Sequence, residues 1–217
     1  MFSEANPLFE FRGPFGVPVQ VNPSIVLLVL LFVAIGGSAD MMAFDLLFVA
    51  MLIGSIFLHE LGHAWGCLIQ GVPVRRIVLH GGGGFCEHRH AVTAEQDELI
   101  VAMGPIVNLT IWAVAGLMLP YTSGGMVTWA VATLGWMNLF LAVFNLIPVM
   151  PLDGGKLFQL LLMRFTTASL ATRISGAVGL VIAILWIPAM VLSYMYVGLV
   201  LFFIPAIALH WQMLRQA

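Results

Sequence analysis

The sequence predicts an all-α polytopic membrane protein of about six transmembrane helices, with a small membrane-associated β-hairpin or sheet on the cytoplasmic side. Three observations carry this. Of 217 residues, 61% are hydrophobic and only 8% charged, against roughly a quarter charged in an average soluble domain. Six apolar windows, at 23–37, 44–69, 97–119, 126–148, 174–191 and 193–212, recur along the chain, and a bilayer core takes about 20 apolar residues per helix. The eight Lys and Arg residues all fall on one side of the topology these windows define. Positive charge collects on the cytoplasmic side of a membrane, so both termini are expected there.

Taken in order, the segment 9–21, "FEFRGPFGVPVQV", alternates weakly and holds Pro14 and Pro18, which suits an edge strand at most. Arg12 precedes the first window, and "GGSADMM" follows it without a positive charge. The second window leads into 72–92, "VPVRRIVLHGGGGFCEHRHAV", where two short β-prone runs flank four glycines. That pattern reads as a hairpin or looped strand pair carrying Arg75, Arg76 and Arg89. Windows three and four are joined by the uncharged "PYTSGGM", and Lys156, Arg164 and Arg173 lie between windows four and five. The last two windows, separated by Ser193 and softened by Pro188, make a tight hairpin or one bent unit. Arg215 closes the chain. The expectation is one domain, 1–217, without an appended soluble module.

The formal net charge of −2 offers no basic surface to nucleic acid. Cys67 and Cys86, the only cysteines, do not make a disulfide framework and are expected as thiols.

Against this apolar background stands "SIFLHELGHAWG". Ionisable groups at membrane depth are costly and mark function, the bland alternative being two buried histidines bonded to nearby carbonyls. Positions i and i+4 share a helix face, so His59 and His63 can direct both imidazoles at one ion, with Glu60 beside them to take a proton from water. Catalytic zinc wants three protein ligands. Cys67 continues the same stripe, but at 1.5 Å rise per residue it stands about 12 Å from His59 along the axis. Asp153, in "NLIPVMPLDGGK", is the better candidate: it follows a helix that runs inward like the one bearing the histidines, after Pro148 and Pro151 break it. An aspartate before two glycines also suits a helix cap or an interfacial turn.

"HELGH", "GPIVNL" at 104–109 and "NLIPVMPLDGG" at 145–155, in this order on successive membrane segments, resemble the site-2 protease family of intramembrane zinc metalloproteases. The likeness extends over nearly the whole chain. It implies one Zn(2+) per chain on His59, His63 and Asp153, with Glu60 activating water. It also implies that Asn145 and Pro148 hold substrate near the metal, and that the glycines of "VLHGGGGF", Gly82 and Gly83 among them, belong to a strand meeting unwound substrate edge to edge. Asn108 matches the polar position of the GP motif. Two departures are Lys156, where many relatives carry arginine, and "CEHRH", in which Cys86, His88 and His90 could bind a second metal or form a solvated loop.

The resemblance implies a multi-pass enzyme of the plasma or inner membrane that cuts membrane-anchored substrates in or near their transmembrane segments, in regulated intramembrane proteolysis. Partners so implied are the bilayer, a transmembrane-segment substrate, and a regulatory membrane protein or a second copy. The competing readings are a zinc transporter and an inactive relative that only binds membrane helices.

Overall fold

The computed structural model describes residues 6–35, 41–197 and 203–215. The connection "GGSADMM" lies largely outside them, as do residues 198–202 of the sixth window. The chain forms two compact units, Met1–Ala142 and Val143–Ala217.

The first unit begins with strands β1 (Phe9–Arg12) and β2 (Pro18–Val21), then helices α1 (Ser24–Ile35) and α2 (Met42–Leu68). Strands β3 (Val74–His80) and β4 (Gly83–His88) follow, then α3 (Ala94–Met118) and α4 (Gly125–Asn145), whose last residues enter the second unit. The sheet order is β1-β2-β3-β4. β2 is therefore an interior strand, running parallel to β3 with Val19 opposite Ile77 and Val21 opposite Leu79. This corrects the expectation of an edge strand at most over 9–21. The prolines permit it by position: Pro18 opens β2, where no ladder amide is lost, and Pro14 lies in the preceding turn.

The sheet packs on the C-terminal half of α2 through a core of Val17, Val19, Leu61, Ala64, Ile77 and Leu79. On another side of α2, small residues admit α3: a Cβ on Gly62 would come within 2.6 Å of the Met103 carbonyl, and one on Gly66 within 3.0 Å of the Ile100 Cα. α3 starts with a reciprocal cap, Thr93 Oγ1 accepting from the Gln96 amide at 3.2 Å and Gln96 Oε1 from the Thr93 amide at 3.1 Å.

The second unit holds the turn after α4, then α5 (Asp153–Met163), α6 (Ala168–Val197) and α7 (Ile207–Arg215). The amphipathic helix α5 was not anticipated from the sequence. The expected boundary near Ser193 is also corrected, because α6 runs unbroken through Pro188 and Ser193. A proline costs a membrane helix one hydrogen bond, and "AMVLS" offers no turn residue that would end it. Residues 203–215 then return along α6. Trp186 Nε1 donates to the Phe203 carbonyl at 2.9 Å, and Gly176 and Gly179 make room for α7.

Among the described residues, four helical spans are long and apolar enough to cross a membrane: Met42–Leu68, Ala94–Tyr121, Gly125–Asn145 and Ala168–Ser193. Their outer faces fit lipid rather than water. Val181, Ile184, Leu185 and Ile187 on α6 are each more than half exposed.

Candidate metal centre

In the last third of α2 the apolar run gives way to His59, Glu60 and His63, all buried. The two imidazoles meet edge to face, their centroids 4.7 Å apart. α3 forms the opposite wall. A Cβ on Gly104 would collide with the His63 ring and lie 2.7 Å from His59 Cε1, so the glycine of "GPIVNL" is required by the rings it faces.

The hydrogen bonds around the rings fix the tautomer of each neutral imidazole. His63 Nδ1 stands 2.8 Å from the Ile100 carbonyl, which only accepts; Nδ1 therefore carries the proton and Nε2 a lone pair. His59 Nδ1 pairs with Asn108 Oδ1. Asn108 Nδ2 donates to Asn138 Oδ1 at 2.7 Å. Asn138 Nδ2 in turn donates to the Leu134 carbonyl and to Ser55 Oγ, both at 2.9 Å. This chain has one sense, so Asn108 turns its oxygen to His59, and His59 too is protonated on Nδ1.

The two Nε2 atoms, 3.0 Å apart, consequently aim lone pairs at the same place. A cation placed between them would accept both lone pairs. Imidazole nitrogen binds zinc at about 2.0–2.1 Å, and its other nitrogen usually donates to a carbonyl or carboxamide oxygen, as both do here. The donor set fits a metal.

Glu60 lies against the sheet. A Cβ on Gly84 of β4 would sit 2.7 Å from Glu60 Cγ and 2.9 Å from Oε1, so this glycine clears the place where the carboxylate lies. Gly82 and Gly83 are at the hairpin tip instead: the Gly82 amide donates to His80 Nδ1 at 3.1 Å, and Gly83 has φ +136°. The segment "CEHRH" is strand through His88 rather than loop. The neighbouring Cys67 thiol and then burial push the Cys86 thiol up, keeping it protonated at neutral pH. His88 Nδ1 donates to the His90 carbonyl at 2.7 Å, and Glu87 binds Arg75 at 2.7 Å and Arg76 at 2.8 Å.

In the second unit, Asn145 ends α4, Pro148 lies in the turn that follows, and Asp153 is the first residue of α5. Leu152, not Asp153, occupies the cap position. The two glycines after Asp153 have a steric reason. A Cβ on Gly154 would meet the backbone of Leu146 and come within 2.6 Å of the Ile147 carbonyl, and one on Gly155 would be 2.6 Å from the Val149 carbonyl carbon. The first turn of α5 thus rests directly on the 146–150 backbone.

Sequence reasoning missed Asn138 and Ser55, and did not single out Gly84 and Gly104 within the motifs that hold them. Ser55 was visible in principle, standing four residues before His59 on the same helix face. Asn138 was not, because only the fold brings it to Asn108. Its importance is testable. Replacing Asn108 by alanine releases the His59 ring and strands Asn138 Oδ1, so zinc affinity measured by chelator competition should fall about 10–100-fold.

An apolar chain with several membrane-length helices and a buried His-Glu-x-x-His centre is the arrangement expected of a membrane-embedded metallopeptidase. The comparisons agree. Residues 121–187 match the profile of Peptidase family M50. The protein sll0528 of Synechocystis sp. is 32% identical over 167 residues, covering 70% of this chain and 43% of that protein. Zinc metalloprotease MJ0392 of Methanocaldococcus jannaschii is 26% identical over 171 residues, covering 78% and 50%. The chain thus spans about half the length of these curated relatives. In structure it is similar to the site-2 protease from Methanocaldococcus jannaschii, with a TM-score of 0.69 at 23% identity, over 96% of this chain and 92% of that one. The chain is thus similar to zinc metalloproteases of peptidase family M50 and shares the fold of the site-2 protease from Methanocaldococcus jannaschii.

Proposed function

We propose that this chain is a zinc-dependent intramembrane endopeptidase that hydrolyses peptide bonds within or near the transmembrane segments of membrane-anchored proteins, as one catalytic domain over 1–217. The observation that carries the reading is the pair of histidines whose Nδ1 protons are committed to Asn108 and Ile100, leaving both Nε2 lone pairs convergent beside a buried glutamate. Asp153 supplies the third ligand. Zinc held by these residues would supply Lewis acidity toward the scissile carbonyl and lower the pKa of a bound water to near neutral.

Glu60 then has one task at two moments: its carboxylate takes a proton from the attacking water and hands it to the departing amine. Burial and the packing of Gly84 against its side chain limit the positions it can adopt. Substrate must be unwound before it can react, because a transmembrane helix hides each carbonyl in an i to i−4 bond. The freed backbone is met by the hairpin tip at Gly82 and Gly83 with the outer edge of β4 that follows, in the manner of strand addition, and by Asn145 at the end of α4 and Pro148 beyond it.

The positive charges favour six passes through a plasma or inner membrane, both termini and the active site lying toward the cytoplasm. The return of residues 203–215 along α6 supports the sixth. The substrates are those of regulated intramembrane proteolysis, under control of a membrane partner or a second copy of the chain.

The test is reconstitution of purified protein in vesicles with a tagged single-span substrate. Cleavage inside the span should require zinc, stop on chelation, return on adding zinc back, and accompany one zinc per chain by atomic absorption. Metal flux in sealed vesicles without proteolysis would instead mark a transporter.

A further inference from the structure

The last helix of the second unit carries a histidine that neither the motifs nor the proposed chemistry uses. His210 on α7 is 1% exposed. Its Nε2 accepts the Met150 amide at 2.9 Å, and the Ala206 amide, one turn earlier, donates to the Met150 carbonyl at 3.2 Å. Both polar groups of the Met150 backbone are therefore held by the returning segment. Met150 precedes Pro151, whose missing amide leaves the turn short of a donor, and Asp153 opens α5 three residues after Met150. The ring is itself fixed from behind: a Cβ on Gly179 would collide with it, and a Cβ on Gly176 would lie 2.9 Å from the His210 carbonyl.

Because Nε2 accepts, the proton of the neutral ring is on Nδ1, and that atom is buried with no hydrogen-bond partner among the described residues. A buried donor left unsatisfied is costly. If the position served packing alone, phenylalanine would fill the space without that cost. What histidine adds is the acceptor for Met150.

We propose that His210 is a positioning residue for the metal centre: together with the Ala206 amide it clamps the Met150 backbone and so fixes where the 148–152 turn delivers the Asp153 carboxylate. The inference rests on the reading of Asp153 as a zinc ligand. An unpaired Met150 amide would let the turn take several conformations, and a carboxylate misplaced by a fraction of an ångström binds its ion less tightly and orients substrate less well.

The test uses the full-length protein in vesicles, with zinc affinity by chelator competition, kcat and KM on a single-span substrate, and thermal unfolding. His210→Phe keeps the ring against Gly179 and removes the acceptor. It should weaken zinc binding about 10–100-fold and lower kcat with KM within about twofold of wild type. His210→Gln restores an acceptor for Met150 and should recover most of both. Should the phenylalanine variant not fold, Gly179→Ala, which displaces the ring, is set against His210→Gln for the same contrast. Wild-type zinc affinity in the acceptor-deficient variant, or equal loss in His210→Gln, overturns the clamp. Asp153→Ala run alongside separates the cases: if it retains wild-type zinc affinity the ligand reading has failed, whereas if it alone loses zinc only the role of His210 has.

Discussion

Replacing Glu60 by glutamine will abolish cleavage of a transmembrane substrate while leaving the protein folded and zinc-loaded. Glutamine keeps the size of the side chain, so the packing against Gly84 is unchanged, and Glu60 is not among the groups assigned to hold the ion. What is lost is a base: a carboxamide cannot take a proton from water. General base catalysis by a positioned side chain contributes about 10²–10⁴-fold, and here the same group also protonates the leaving amine, so a loss at or above the upper end is expected. Because binding survives, the variant should hold substrate rather than release product. Capture of a tagged Glu60→Gln chain from solubilised membranes, with sequencing of the retained protein, then identifies the substrate. Cleavage at the wild-type rate would remove Glu60 from the chemistry.

How far the sequence foretold this can be judged element by element. Windows at 44–69, 97–119 and 126–148 lie close to helices Met42–Leu68, Ala94–Met118 and Gly125–Asn145, since the thickness of the hydrocarbon core demands one long apolar run per crossing. The histidine pair was equally plain, because two imidazoles in such a run contradict its solvent and a fixed i, i+4 spacing needs no tertiary knowledge. Three things were hidden. α5 runs over only eleven residues and carries two glycines directly after its first residue, Asp153, so it reads as loop until the backbone beneath those glycines is seen. β2 looked like an edge because its neighbour β3 is more than fifty residues away, across two helices. The Asn108, Asn138 and Ser55 chain joins three helices, and nothing local marks any one of its members as a partner of His59.

Asp153→Ala gives the second large effect, and it separates two readings that the sequence left open. If Asp153 serves α5 as a cap or as a favourable first-turn charge, its removal costs at most about 0.3–1 kcal/mol of helix stability, and zinc content stays at the wild-type level. The cap role is already weakened, since Leu152 stands at the cap position and makes no side-chain capping bond. If Asp153 is the third ligand, the ion is left on two imidazoles. Catalytic zinc sites keep three protein ligands, and even outer-shell partners cost about 10–100-fold in affinity when removed, so losing a ligand should cost more than about 100-fold. Chelator competition on the purified variant should show that loss together with undetectable cleavage, while the unfolding midpoint measured without metal shifts by no more than a few degrees. Zinc retained in full by Asp153→Ala would require another third ligand, and the clamp on Met150 would then have to be explained by the stability of the turn alone.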